Sequence, residues 1–231
     1  MNKIQRVIQV WLPILILLGL TKLFSATANV PLRRLMLDPT EVMHEPFYIG
    51  ILANFGILMW TATAAICFFI AIFLPQLVGK AWRDFFLVSG LLTLILLLDD
   101  LLRIHDEILP VYLGIKGDFI GIVYLGLVFL YLPRFRGLIF QRPYGFLVMA
   151  LGFFAFSAAA DVATSVMKAV LSTDNRLLLE DGTKLLGIAN WLAYFAYVSA
   201  SVVSEANLAA LKSSVDNQIP EKTSDWVRKV V

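Results

Sequence analysis

Apolar runs long enough to cross a bilayer are the feature that most constrains this chain. Because about 20 apolar residues in a helix span a hydrocarbon core of about 30 Å, each such run predicts a membrane-spanning helix. An apolar content of 59% is also far above that of a soluble globule. The sequence predicts an all-α, polytopic membrane bundle with six transmembrane helices, at residues 7–25, 48–75, 84–108, 111–132, 143–171 and 178–207.

The basic residues in the links between these runs predict the orientation of the chain. If the chain crosses six times, the links after the second and fourth runs lie on the same side as the N-terminus. These links carry Lys80, Arg83, Arg134, Arg136 and Arg142. The positive-inside rule then places both termini in the cytoplasm. We expect a membrane domain at 1–211 and a flexible cytoplasmic tail at 212–231, in a plasma or inner membrane.

The N-terminus also has the pattern of a cleavable signal peptide. Lys3 and Arg6 precede an apolar stretch, and the small residues Ala26-Thr27-Ala28 follow it. We expect this first run to be retained as a membrane anchor.

A cluster of ionisable residues at the end of the third run is the strongest functional signal. Charge at bilayer depth is costly, so it is rare and usually functional. At 100° per residue along a continuous helix, five of the six side chains share about 120° of one face. The sixth, His105, falls on the opposite face, so we expect it to point away from the acids. The five are Asp99, Asp100, Arg103, Asp106 and Glu107.

Two later runs carry ionisable residues at a similar depth. The fifth run carries Asp161, and the sixth opens with Glu180, Asp181 and Lys184. At 1.5 Å per residue, Asp99 lies about 23 Å from the cytoplasmic edge of its span and Asp161 about 24–27 Å. We therefore expect three helices to bring their acids together in an outward-facing cluster.

The excess of carboxylates over cations in this cluster predicts a metal site. Crowded carboxylates raise one another's pKa or recruit a cation. Oxygen ligands suit Mg²⁺, Ca²⁺ or Mn²⁺, whereas a three-histidine zinc site is excluded because the chain has only His44 and His105. The predicted metal ligands are Asp99, Asp100, Asp106, Glu107, Asp161 and Glu180. The predicted catalytic residues are Asp100, Asp161, Arg103 and Lys184, with the two cations stabilising phosphate or developing negative charge.

These residues favour a divalent-metal-dependent enzyme that acts on a lipid or lipid-linked substrate. One alternative is a cation- or proton-coupled transporter or channel that uses the same carboxylates, although the inner half of the spans offers few polar residues for a continuous route. A second alternative is a structural or assembly subunit. In that case Arg103 pairs with Asp99 and Glu107, and Lys184 pairs with Glu180, at helical spacings of four. The expected partners are membrane lipid and a small-molecule or lipid substrate. Nothing in the sequence indicates nucleic-acid binding, and the oligomeric state stays open.

Overall fold

A computed structural model describes residues 3–37, 39–115, 117–163 and 172–218. Every regular element within these ranges is a helix, which confirms the all-α class. The chain divides into two compact units, Met1–Ile51 and Leu52–Val231.

The first unit contains one long helix and two short ones. The long helix, α1, covers Lys3–Thr27, and the short helices α2 and α3 cover Leu32–Met36 and Pro39–Met43. The described apolar side chains of α1 are mostly exposed, as expected of a helix that faces lipid. Two threonines in its second half donate their hydroxyls to carbonyls four residues earlier, at 2.9 and 3.0 Å, so the helix satisfies their hydrogen-bonding groups internally.

The other helices of the described ranges belong to the second unit. We name them α4 to α9 in chain order and keep one π-helix separate, because it follows a break in the chain direction. They are α4 (Ile51–Phe73), α5 (Pro75–Val78), α6 (Lys80–Leu102), the π-helix (Ile104–Leu113), α7 (Gly117–Ile139), α8 (Gly145–Val162) and α9 (Thr173–Gln218).

Four helices in the described part of the chain are long and apolar enough to cross a membrane. They cover Ile51–Phe73, Lys80–Leu102, Gly121–Ile139 and Thr173–Ser214. Two shorter apolar helices, Ile14–Thr27 and Gly145–Asp161, fall within the first and fifth predicted runs. The described helices thus give four candidate spans where the sequence predicts six, and residues 164–171 of the fifth run lie outside the description.

Several boundaries differ from the predicted ones. The third run ends as a helix at Leu102 and not at 108, since the next residue adopts a left-handed conformation. Residues 111–113 belong to the π-helix, and α7 extends to Ile139, past the predicted end at 132. The last helix continues to Gln218, so residues 212–218 of the predicted tail are helical, while 219–231 lie outside the described residues.

The core of the second unit is built largely from aromatic side chains. Phe85 of α6 is fully buried, and its ring lies 6.2 Å from Tyr131, 5.4 Å from Phe135 and 5.9 Å from Phe195. In a membrane such close packing holds helices together, because lipid tails compete equally for apolar surface. These contacts join α6 to α7 and α9.

An ion pair ties the link between α7 and α8 to the last helix. Arg142 in this link forms a bidentate pair with Glu205 of α9, with Nη2 2.6 Å from Oε2. The Arg142 guanidinium also lies over the Trp82 ring of α6, 5.4 Å from its centroid. One arginine therefore connects three parts of the unit.

Candidate functional site

The site begins where α6 ends. Arg103 adopts a left-handed conformation with φ of 52°, and its N–H bonds to the Asp99 carbonyl as a C-cap. Such a conformation is uncommon for a residue with a Cβ and turns the chain sharply. The turn brings His105 back onto Asp99, where the backbone N–H donates to Oδ1 at 3.0 Å and ring Nδ1 lies 2.6 Å from Oδ2. The prediction that His105 points away from the acids is therefore wrong, because it assumed a continuous helix.

Asp99 and His105 form a dyad with one buried and one accessible member. Asp99 is 4% exposed, whereas the His105 side chain is 32% exposed. The second ring nitrogen, Nε2, lies 3.2 Å from Oδ1 of Asp106, which is more than half exposed. Tyr124 of α7 also lies within hydrogen-bonding reach of the Asp99 carboxylate. The imidazole thus lies between a fixed internal carboxylate and an external one.

The electrostatics of this arrangement favour the protonated imidazole. His105 follows the end of α6, and the hydrogen bond to Asp99 raises its pKa above the ordinary 6.5. Partial burial opposes this rise, the charge of Asp106 adds to it, and the charge of Lys184 opposes it. The net effect is a raised pKa, so the dyad stabilises the protonated form of the ring relative to a free imidazole.

The neighbouring Asp100 joins three helices. Lys184 of α9 lies 2.5 Å from Oδ1, and the indole N–H of Trp60 on α4 donates to Oδ2 at 2.9 Å. The expected pairing of Lys184 with Glu180 is wrong, since the lysine reaches across to α6 and does not run along its own helix. The sequence predicts that the third and sixth runs bring their acids together. The contact seen between these two helices joins the acid Asp100 to the cation Lys184.

A second group of polar residues joins α8 to α9. Glu180 pairs with Arg176 at 2.6 Å, and its carbonyl accepts a hydrogen bond from Ser157 of α8 at 2.9 Å. Asp161 is exposed on α8 and close enough to act electrostatically on Glu180.

Arg103, at the turn itself, forms one of its two expected ion pairs. It pairs with Glu107 at 3.4 Å, as the spacing of four predicts. Asp99, the other expected partner, is bonded to His105 instead.

The predicted metal ligands are distributed over separate ion pairs. In the described ranges, no three His, Cys, Asp or Glu side chains lie close enough together to hold a metal ion. Five of the six predicted ligands have a cationic or imidazole partner from the protein, and two of these, Asp99 and Asp106, share His105. The five are Asp99, Asp100, Asp106, Glu107 and Glu180.

An aromatic layer lies directly beside Asp100. The buried Trp60 ring stacks on Phe154 of α8, with centroids 5.7 Å apart and planes at 19°, and meets Trp191 of α9 edge-on at 6.3 Å. The Trp191 indole N–H donates to the buried Thr93 hydroxyl at 3.0 Å. The rings are closely packed and both indole N–H groups have hydrogen-bond acceptors, so this aromatic layer is a rigid support beside Asp100.

Sequence reasoning missed three residues of this site: His105, Trp60 and Tyr124. A tryptophan in an apolar run is a weak signal, because its N–H usually finds a partner when the ring is buried. Nothing marks Arg103 as left-handed, since glycine and asparagine are the residues that favour this conformation.

Comparisons with known proteins give one match. No curated protein and no solved structure matches the chain. A family model described as "Domain of unknown function (DUF8692)" matches residues 11–198, which is most of the chain and includes every residue of the site. The chain belongs to this family, DUF8692.

Proposed function

We propose that this protein is a membrane enzyme that acts on a lipid or lipid-linked substrate, with His105 as its proton-transfer residue. The observation that carries the proposal is the dyad, in which a buried carboxylate holds one ring nitrogen and leaves the other near the surface. A carboxylate that fixes the tautomer and stabilises the imidazolium is what a catalytic histidine needs.

The proposed chemistry takes place at Nε2 of His105. Because Asp99 holds Nδ1, a proton enters and leaves through Nε2 once the exposed Asp106 side chain moves aside. The imidazole takes a proton from water or a substrate hydroxyl, and the imidazolium returns it to a leaving oxygen. A positioned acid–base group contributes about 10²–10⁴-fold to a rate. Arg103, in the exposed turn, supplies positive charge for phosphate or for developing negative charge.

We further propose six spans, with α1 and α8 added to the four candidate spans, and both termini in the cytoplasm. Basic residues at the start of α6, near the end of α7 and in the link to α8 support this orientation through the positive-inside rule. The dyad then opens to the outer side, where a lipid head group is within reach of His105.

The aromatic layer beside Asp100 favours an enzyme over a transporter. A transport route needs polar groups or water through both halves of the membrane. Beside Asp100, however, the packed rings of Trp60, Phe154 and Trp191 occupy the space that such a route requires. Tryptophan N–H groups only donate hydrogen bonds, so they do not relay protons.

The ion pairs favour a second candidate function, a structural or assembly subunit. Asp100 is held by Lys184 and Trp60, and Glu180 by Arg176, so these acids already stabilise the helix bundle. If the protein has this structural function, the dyad of Asp99 and His105 only caps the end of α6.

Lipid turnover by the purified full-length protein tests the proposal. The protein is placed in nanodiscs with a total membrane lipid extract, and lipid composition is followed by mass spectrometry. His105→Asn keeps an amide donor for Asp99 but binds no proton, and His44→Asn is the matched control at the other histidine. The proposal expects turnover by the wild type and the control, and its loss in His105→Asn. Turnover unchanged in His105→Asn refutes the role of His105, and no turnover by any of the three proteins favours the structural function.

Two further measurements separate the alternatives. The first is proton or cation flux in proteoliposomes. A flux that is lost in His105→Asn and kept in His44→Asn establishes transport and contradicts the proposed enzyme. The divalent cation is tested by elemental analysis of the wild type beside Asp100→Asn and Asp161→Asn. A stoichiometric metal that both variants lose adds a metal to the proposed site.

A further inference from the structure

A groove runs between α6 and α7, far along the helices from the dyad. It has a volume of about 410 Å³. The nearly buried rings of Tyr131 and Phe135 form its floor, and Leu87, Val88 and Leu130 stand along its sides. Every one of these side chains offers apolar surface, so the groove suits a hydrocarbon chain.

The groove is parallel to the helices and carries charge only near one end. Its α7 side follows one helix face at spacings of three and four, from Leu127 through Leu130 and Tyr131 to Arg134. Its α6 side runs from Val88 back to Asp84. The charged residues thus stand at the mouth, near the start of α6 and the end of α7, and the apolar part extends towards the middle of both helices. A membrane phospholipid has the same division into head group and chain.

The charge at the mouth favours an anionic head group. Asp84 is already paired with Arg83, at 3.0 Å. Arg134 lies over the Phe135 ring, 5.5 Å from its centroid, and the described residues give it no ion pair. The Arg134 guanidinium therefore has donors available for a phosphate, the anion that its planar fork binds best.

We propose that this groove binds one anionic phospholipid, with an acyl chain between α6 and α7 and the phosphate on Arg134. This site is independent of the dyad and of the reaction proposed for it. A bound lipid at this place fills the space beside α7, whose described surface is mostly exposed, and stabilises its contact with α6.

Lipid binding by the full-length protein in detergent tests the site. Native mass spectrometry counts bound dioleoylphosphatidylglycerol and dioleoylphosphatidylcholine in wild type, Arg134→Gln and the control Arg136→Gln. Arg136 lies in the last turn of the same helix but does not line the groove. We expect the wild type to prefer phosphatidylglycerol. We expect Arg134→Gln to bind it about tenfold more weakly, a factor that corresponds to about 1.4 kcal/mol, and Arg136→Gln to stay close to wild type.

Two further arms make the test specific to a lipid in the groove. Val88→Trp fills the groove without changing charge, and it should lower retention of phosphatidylglycerol as Arg134→Gln does. Thermal stability with inorganic phosphate alone should not rise. Any one of four results overturns the proposal. They are equal binding of the two lipids, equal losses in Arg134→Gln and Arg136→Gln, unchanged retention in Val88→Trp, and full stabilisation by inorganic phosphate.

Discussion

Gly187→Ala provides a sharp test of how α8 and α9 position the site. These two helices make the most extensive helix–helix contact in the unit. A Cβ at Gly187 would lie 2.5 Å from Cε1 and 2.6 Å from Cδ1 of Phe154. The Phe154 ring stacks on Trp60, whose indole N–H holds Asp100. A single methyl group therefore acts on the site through two aromatic rings.

The magnitude follows from two opposing effects. Extra volume in a well-packed core costs about 1–3 kcal/mol. Alanine is favoured over glycine inside a helix by about 1 kcal/mol. Because the Phe154 ring is held by Trp60 and cannot swing freely, we take the upper part of the packing cost, which leaves a net loss of about 1–2 kcal/mol. For a chain of this size each kcal/mol lowers Tm by about 2–4 °C.

Gly182→Ala on the same helix is the matched control. Its Cβ meets only Leu178 Cδ1, at 3.8 Å, which is ordinary van der Waals contact. Thermal unfolding in one detergent should show a lower Tm for Gly187→Ala and an equal or higher Tm for Gly182→Ala. Tryptophan fluorescence should also change only in Gly187→Ala, since Trp60 moves with Phe154. If both variants behave alike, the close packing of Phe154 on α9 is refuted.

Three more predictions concern the charged residues of the site. Lys184→Met leaves Asp100 without its cation and should lower the free energy of unfolding by about 2–3 kcal/mol, less than for a fully buried pair because the lysine is 38% exposed. Adding Asp100→Leu should recover part of this loss. A double variant no more stable than Lys184→Met argues against the pair. Trp60→Phe keeps the stacking but removes the indole donor, so chemical denaturation should show a loss of about 1–2 kcal/mol, whereas an unchanged midpoint contradicts the hydrogen bond to Asp100. Asp99 and Asp106 raise the folded-state pKa of His105, and partial burial and Lys184 oppose the rise. The dyad therefore stabilises the fold fully below the unfolded pKa of 6.5, and this stabilisation is lost as pH rises through the folded pKa. The Tm advantage of wild type over His105→Asn should shrink from pH 6 to pH 9, and a constant difference would count against the dyad.

The sequence predicts the class of the protein because hydrophobicity acts on whole segments. Runs of about 20 apolar residues have few stable structures other than a helix in lipid. The helical class and the four candidate spans follow from this rule. The tail boundary at 211 does not, because nothing in the polar residues 212–218 stops α9 before Gln218.

The site is only half predictable for a geometric reason. The periodicity of a helix identifies Asp99 and Asp100 as neighbours near one depth, and the depth of Lys184 brings it to the same level. Which acid the lysine binds depends on the rotation of α9 against α6, and periodicity within each helix does not fix that rotation. The helical wheel also fails past Leu102, since one left-handed residue at Arg103 changes the direction of every later side chain.

Titration of the His105 ring by NMR tests the dyad most directly. The His44→Asn variant leaves His105 as the only histidine in the chain, so ¹⁵N-histidine labelling reports on one imidazole. Asparagine also tolerates the left-handed conformation of residue 44. We expect a pKa above 6.5, a strongly hydrogen-bonded Nδ1–H, and loss of both in Asp99→Asn. A pKa at or below 6.5 that does not respond to Asp99→Asn would contradict it.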